Sequence, residues 1–156
     1  MNKDIVKEYG DVLHDPSSIV DRPLEVLSVG PKLDIALGGG VPEGSLFIMT
    51  GPEKVGKTVT ALTFCANAQK HYQRKVYYAN IEGRLKKRDL EGIIDLDLDS
   101  EKMQIIGSTE GNILSAEKYL SIVDNIVHTQ PGSLAVVDSF SALSSEAELT
   151  GDLSDM

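Results

Sequence analysis

The chain has 156 residues, room for one domain around a single buried core. Its formal net charge of −9 argues against a duplex-binding protein built on a broad cationic face, so any nucleic-acid role needs a local patch or an assembly of subunits. No apolar run is long enough to span a bilayer and no signal-peptide pattern follows Met1, so the expectation is a cytoplasmic protein with no membrane partner.

Residues 1–23 are polar with one weakly amphipathic piece around Ile5, Tyr9 and Leu13, and Pro16 and Pro23 limit its regularity. They read as an arm or a polymerisation segment, followed by a core over residues 24–156. LEVLSV is a short apolar strand, and LDIALGGGVPEGS is a turn-rich run. LFIMTG, from Leu46 to Gly51, has the continuous apolar character of a buried parallel strand. Lys57 to Tyr72 predicts a helix, with Val59, Leu62, Ala66 and Ala68 on and near one face. VYYANIE is a strand, RDLEGIIDL a short helix and MQIIGS another strand. NILSAEKYLSIVDNIVHT is a long amphipathic helix, and LAVVDS a fourth buried strand. This alternation predicts an α/β fold: a parallel sheet with right-handed crossovers and helices on both faces. LAVVDS would sit near the middle of such a sheet, so the sheet is expected to be incomplete at its C-terminal end.

Gly51, Pro52, Glu53, Lys54, Val55, Gly56, Lys57 and Thr58 satisfy G-x-x-x-x-G-K-[ST], the P-loop pattern. The context fits phosphate binding, because the loop follows an apolar strand and opens a helix. Glycines let the backbone curl with its N–H groups inward, and the helix N-terminus adds partial positive charge. This loop, with Val59 behind it, is the candidate ATP site. Lys57 would reach the phosphates and Thr58 would place its hydroxyl on Mg²⁺. Asp138 ends the apolar strand LAVVD at the edge where parallel α/β sheets bind ligands, and is the second candidate Mg²⁺ residue. Glu82 ends VYYANIE at the same edge and is a candidate catalytic carboxylate for the attacking water, alongside Lys57.

Other features carry less. Cys65 is the only cysteine, which rules out an intrachain disulfide, and its apolar neighbours make it a buried structural thiol. His14, His71 and His128 are too scattered for a zinc site. Asp95, Asp97 and Asp99 begin like a calcium loop, but Ser100 stands where that loop needs glycine and Ile106 where it needs glutamate. Arg84, Lys86, Lys87 and Arg88 form the densest basic cluster. Contact with phosphates or an adjacent subunit is one reading of it and a solvated loop the favoured one; the lack of interleaved aromatics weighs against single-strand binding. Tyr77 and Tyr78 read as strand packing.

From Leu24 to Met156 the chain resembles the ATPase core of the RecA family of strand-exchange recombinases, and within it the phage branch. The resemblance rests on the LDIALGGG run with its P-loop, NIE at Glu82, VVDSFSAL at Asp138 and the final AELTGDLSDM. It implies a RecA-like P-loop NTPase fold, ATP with Mg²⁺ as cofactors, and DNA-dependent ATPase activity. It also implies single-stranded DNA as partner, with self-association into filaments for homologous recombination and repair. A full-length recombinase or mediator proteins are further partners it suggests. Lys57, Thr58, Asp138 and Glu82 match the family's phosphate, Mg²⁺ and catalytic positions. GRLKKRDL stands where the family has an acidic-aromatic segment near the adenine, so base contacts do not carry over. AELTGDLSDM falls where the first DNA-binding loop begins, and the expectation is the N-terminal part of a core that hydrolyses ATP slowly alone. The rival readings are a non-catalytic nucleotide-binding assembly module and a helicase or clock-type ATPase; the LDIALGGG run speaks against the latter.

Overall fold

The computed structural model describes residues 24–150, and the arm expected over residues 1–23 lies outside them. Two sheets form. In the first, β1 (Val26–Leu27) pairs antiparallel with β2 (Val41–Pro42). Between them runs α1 (Pro31–Leu37), where the sequence suggested only turns. The helix starts there because proline fits its first turn and Asp34 reaches back over the entry. One Asp34 oxygen accepts the amides of Val29 and Gly30, at 2.8 and 3.2 Å, and the other accepts the Ser28 hydroxyl at 2.6 Å. That hydroxyl, followed by the two amides, outweighs desolvation and holds the Asp34 carboxyl below its ordinary range. Gly40 is required by packing, since a Cβ there would collide with the Leu27 carbonyl.

The second sheet is parallel, with β3 (Val76–Asn80) between β4 (Met103–Ile106) and β5 (Leu134–Asp138). Among the described residues α2 (Lys57–Tyr72) leads into β3, and two helices make the crossovers, α3 (Lys87–Glu91) between β3 and β4 and α4 (Ala116–Thr129) between β4 and β5. A 3₁₀ turn (Phe140–Ala142) and α5 (Glu146–Thr150) follow β5. This is the expected α/β architecture, helices on both faces of a parallel sheet.

The core divides along α2. Ala61, Leu62 and Cys65 pack on Val76 and Tyr78 of β3 and Met103 of β4. Phe64 and Ala68, around the helix, pack on Leu27, Val29 and Val41. Burial on both sides explains why α2 lacks a clean polar face. Tyr77 and Ala79 alternate to the other face of β3, where α4 lies with Tyr119 and Ile126 buried.

Leu46–Gly51 departs from expectation. Phe47 and Met49 pack inward, Leu46 and Ile48 are 81% and 66% exposed, and the segment has no strand pairing. A strand exists only where a neighbour takes its N–H and C=O groups. Among the described residues β5 pairs with β3 alone, none of them takes its other edge, and each of its residues is only half-buried. Two helices are also shorter than their apolar patterns. Of RDLEGIIDL only the start is helical, because Gly92 stops α3 and the chain turns. α4 begins after Ser115, whose hydroxyl accepts the Lys118 amide at 3.3 Å.

Candidate functional site

The carboxyl ends of β3 and β5 lie side by side. Asn80 is in register with Asp138, and the Ile81 amide donates to the Asp138 carbonyl at 2.9 Å. Glu82 therefore emerges beside Asp138 and Ser139. The glycine-rich loop arrives at the same edge because α2 packs on this sheet and begins directly after Gly56. Gly56 sits in the left-handed region (φ 94°), a conformation that lets the loop turn sharply into the helix. Lys54 is also left-handed (φ 62°), so the loop is curled rather than extended.

Thr58 and Asp138, 80 positions apart, meet through a hydrogen bond: the Thr58 hydroxyl donates to Asp138 Oδ2 at 2.8 Å. The Tyr78 hydroxyl donates to the same oxygen at 2.6 Å. Tyr78 has no exposed surface, and burial pushes its phenol well above the ordinary tyrosine range. The Asp138 hydrogen bond and charge push the same way. Lys57 folds back over the loop and donates to the carbonyls of Gly51 and Pro52, both at 2.8 Å. Glu82 accepts from the Ser139 hydroxyl at 2.9 Å, and its second oxygen lies 3.5 Å from Arg84 Nη1. Val55 and Val59 are exposed at the mouth of the site.

A cleft of about 510 Å³ opens here, lined by Thr58, Val59, Glu82 and Asp138 together with Arg84 and Arg88. Thr58, Glu82 and Asp138 thus come to one sheet edge, with Lys57 next to Thr58 in the chain. Sequence reasoning missed Tyr78 and set aside Arg84 and Arg88. Tyr78 looks like strand filler because only its register beside Asp138 gives the hydroxyl a partner. Arg84 and Arg88 look like a solvated run because only the turn after Glu82 brings them to the cleft. Buried Cys65 takes no part: burial raises its thiol to about 12. Among the described residues there is no cluster of His, Cys, Asp and Glu fit to hold a metal by itself. None of their helices is long and apolar enough to cross a membrane.

A parallel sheet that brings a glycine-rich loop, its helix and a strand-end aspartate to one edge is a P-loop α/β core. The chain belongs to the RecA family: the family described as RecA N-terminal domain matches residues 3–156. Protein RecA of Streptomyces venezuelae is 38% identical over 136 residues, covering 86% of this chain and 34% of the relative. Protein RecA of Phytoplasma mali is 33% identical over 162 residues, covering 99% and 44%. DNA repair protein recA homolog 3, mitochondrial, of Arabidopsis thaliana is 35% identical over 153 residues, covering 94% and 32%. The chain thus spans between about a third and under half of the length of these relatives.

Proposed function

We propose that this chain is the ATP-binding part of a DNA strand-exchange recombinase core. The supporting observation is the 2.8 Å hydrogen bond from Thr58 to Asp138, which puts two hard oxygen donors together beside a curled glycine-rich loop. Such a donor pair suits Mg²⁺, which takes one or two protein oxygens and shares the rest with phosphates and water. Thr58 and Asp138 would hold the ion, which when bound neutralises charge on the phosphate oxygens. The amides of Gly51–Thr58, with Val59 beside them, cradle the triphosphate. Lys57 exchanges its two carbonyl partners for phosphate oxygens. Glu82 orients a water for in-line attack on the γ-phosphorus and takes its proton; the bond to the β-phosphate oxygen breaks, giving ADP and phosphate. Ser139 steadies the Glu82 carboxylate for this task.

Relatives carrying the names RecA and DNA repair protein support recombination and repair as the setting. Filament assembly on single-stranded DNA is part of the proposal, as are mediator or full-length recombinase partners. So are the phage-type assignment and the host cytoplasm as site of action, which rest on the resemblance from Leu24 to Met156. The test is Mg²⁺-dependent binding of a fluorescent ATP analogue, together with ATP turnover with and without single-stranded DNA. Lys57→Ala is expected to abolish both binding and turnover. Equal nucleotide binding by the variant and the parent chain would refute the P-loop assignment.

A further inference from the structure

The cleft holds an electrostatic puzzle. A nucleotide triphosphate is strongly anionic, yet Asp138, Glu82 and Asp89 all line the cavity. Mg²⁺ held at Asp138 and the Lys57 ammonium would offset charge at the loop, which leaves Glu82 and Asp89 on the wall of a chain at −9. The remaining cations on the wall are Arg84 and Arg88. Arg88 is as exposed, at 81%, but belongs to α3 and faces its neighbour Asp89 at 3.3 Å rather than Glu82. Arg84 lies two residues beyond Glu82, and its guanidinium reaches back to that carboxylate at a long 3.5 Å. Its side chain is 82% exposed, so it holds no packing role and is free to swing across the cleft mouth. A contact that long and exposed is weak and is readily exchanged for a better anion.

We propose that Arg84 is a phosphate-sensing cation supplied from within the same chain: it leaves Glu82 to bind the terminal phosphate of a nucleoside triphosphate. A guanidinium pairs with phosphate oxygens through two parallel N–H donors, which a long contact to one carboxylate oxygen does not match. The exchange has a second effect. Glu82 loses its positive neighbour when the γ-phosphate is present, which leaves its carboxylate free to accept a proton from water. Arg84 thereby distinguishes triphosphate from diphosphate and couples that recognition to the state of Glu82. The inference rests on the nucleotide-binding reading of the loop.

The experiment compares affinities for fluorescent ATP and ADP analogues, with Mg²⁺, in the parent chain and in Arg84→Ala, Lys57→Ala, Glu82→Gln and Arg84→Ala/Glu82→Gln. Arg84→Ala is expected to weaken ATP binding roughly 10- to 100-fold, the range for a hydrogen bond to a charged group, with ADP affinity unchanged. Glu82→Gln releases the arginine and is expected to tighten ATP binding, a gain that Arg84→Ala removes in the double variant. Lys57→Ala is expected to abolish binding of both nucleotides. Equal effects of Arg84→Ala on ATP and ADP, or none on either, would overturn the role of Arg84 while leaving the loop assignment intact. A parent chain that binds neither nucleotide would overturn both.

Discussion

Asp138 Oδ2 accepts hydroxyls from both Thr58 and Tyr78, so one oxygen links the glycine-rich loop to the centre of the sheet. The Tyr78 bond is partly buried, where a lost partner is felt more than at the surface. Tyr78→Phe keeps the ring and removes only the hydroxyl, and is expected to cost about 0.5–1.5 kcal/mol in urea unfolding. The pH dependence follows from the raised phenol. Below the ordinary tyrosine value of 10.0 both folded and unfolded chains keep this proton. Above it the unfolded chain releases the proton while the fold retains it, so the unfolded state binds fewer protons and stability falls as pH rises. The parent is therefore expected to lose stability above about pH 10 more steeply than Tyr78→Phe, checked by parallel urea titrations. Identical slopes would mean that the phenol is not held neutral by the fold. The loop chemistry at Gly51–Thr58 is legible in sequence because it is local, a motif between an apolar run and a helix. Tyr78 is not, because its role depends on a register between strands 60 positions apart.

Among the elements, α2 was readable end to end: its expected limits, Lys57 and Tyr72, are those observed. Gly56 before it and Gln73 after it, both left-handed, give it sharp ends. The start of α4 was not readable from its apolar spacing, because Ile113 and Leu114 extend the pattern beyond the point where Ser115 caps the helix. Capping outweighs the pattern because the first turn leaves amides without partners, and the Ser115 hydroxyl satisfies that of Lys118. The same helix start receives the chain after β5: the Ala116 amide donates to the Ser144 carbonyl at 2.8 Å, and Glu117 accepts the Glu146 amide at 3.0 Å. Ser115→Ala is expected to cost about 1 kcal/mol in denaturant unfolding, and Ser115→Asp to restore most of it. Hydrogen exchange should also quicken at Lys118. An alanine variant as stable as the parent, with unchanged exchange, would show that the cap contributes nothing.

At the scale of the molecule, Leu46–Gly51 and the segment LAVVDS both read as buried strands because both are continuous apolar runs for most of their length. Apolar content shows that a segment wants cover, and says nothing of whether a neighbouring strand within the same residues provides it. In the fold, the inward residues Phe47 and Met49 find the core, whereas Leu46 and Ile48 stay exposed and no described strand takes the second edge of β5. Unpaired backbone groups along an apolar strand are a template for pairing with another chain, and exposed aliphatic side chains nearby add to the attraction. Without nucleotide or DNA, the chain is therefore expected to self-associate as its concentration rises. Sedimentation velocity should show species larger than the monomer, and Leu46→Lys/Ile48→Lys should shift them towards the monomer with the circular dichroism spectrum unchanged. Both positions lie outside the packed clusters, so the charges are tolerated by the fold while they oppose stacking of one copy on another. Identical sedimentation of parent and variant across the same concentrations would rule out this surface as the source of association.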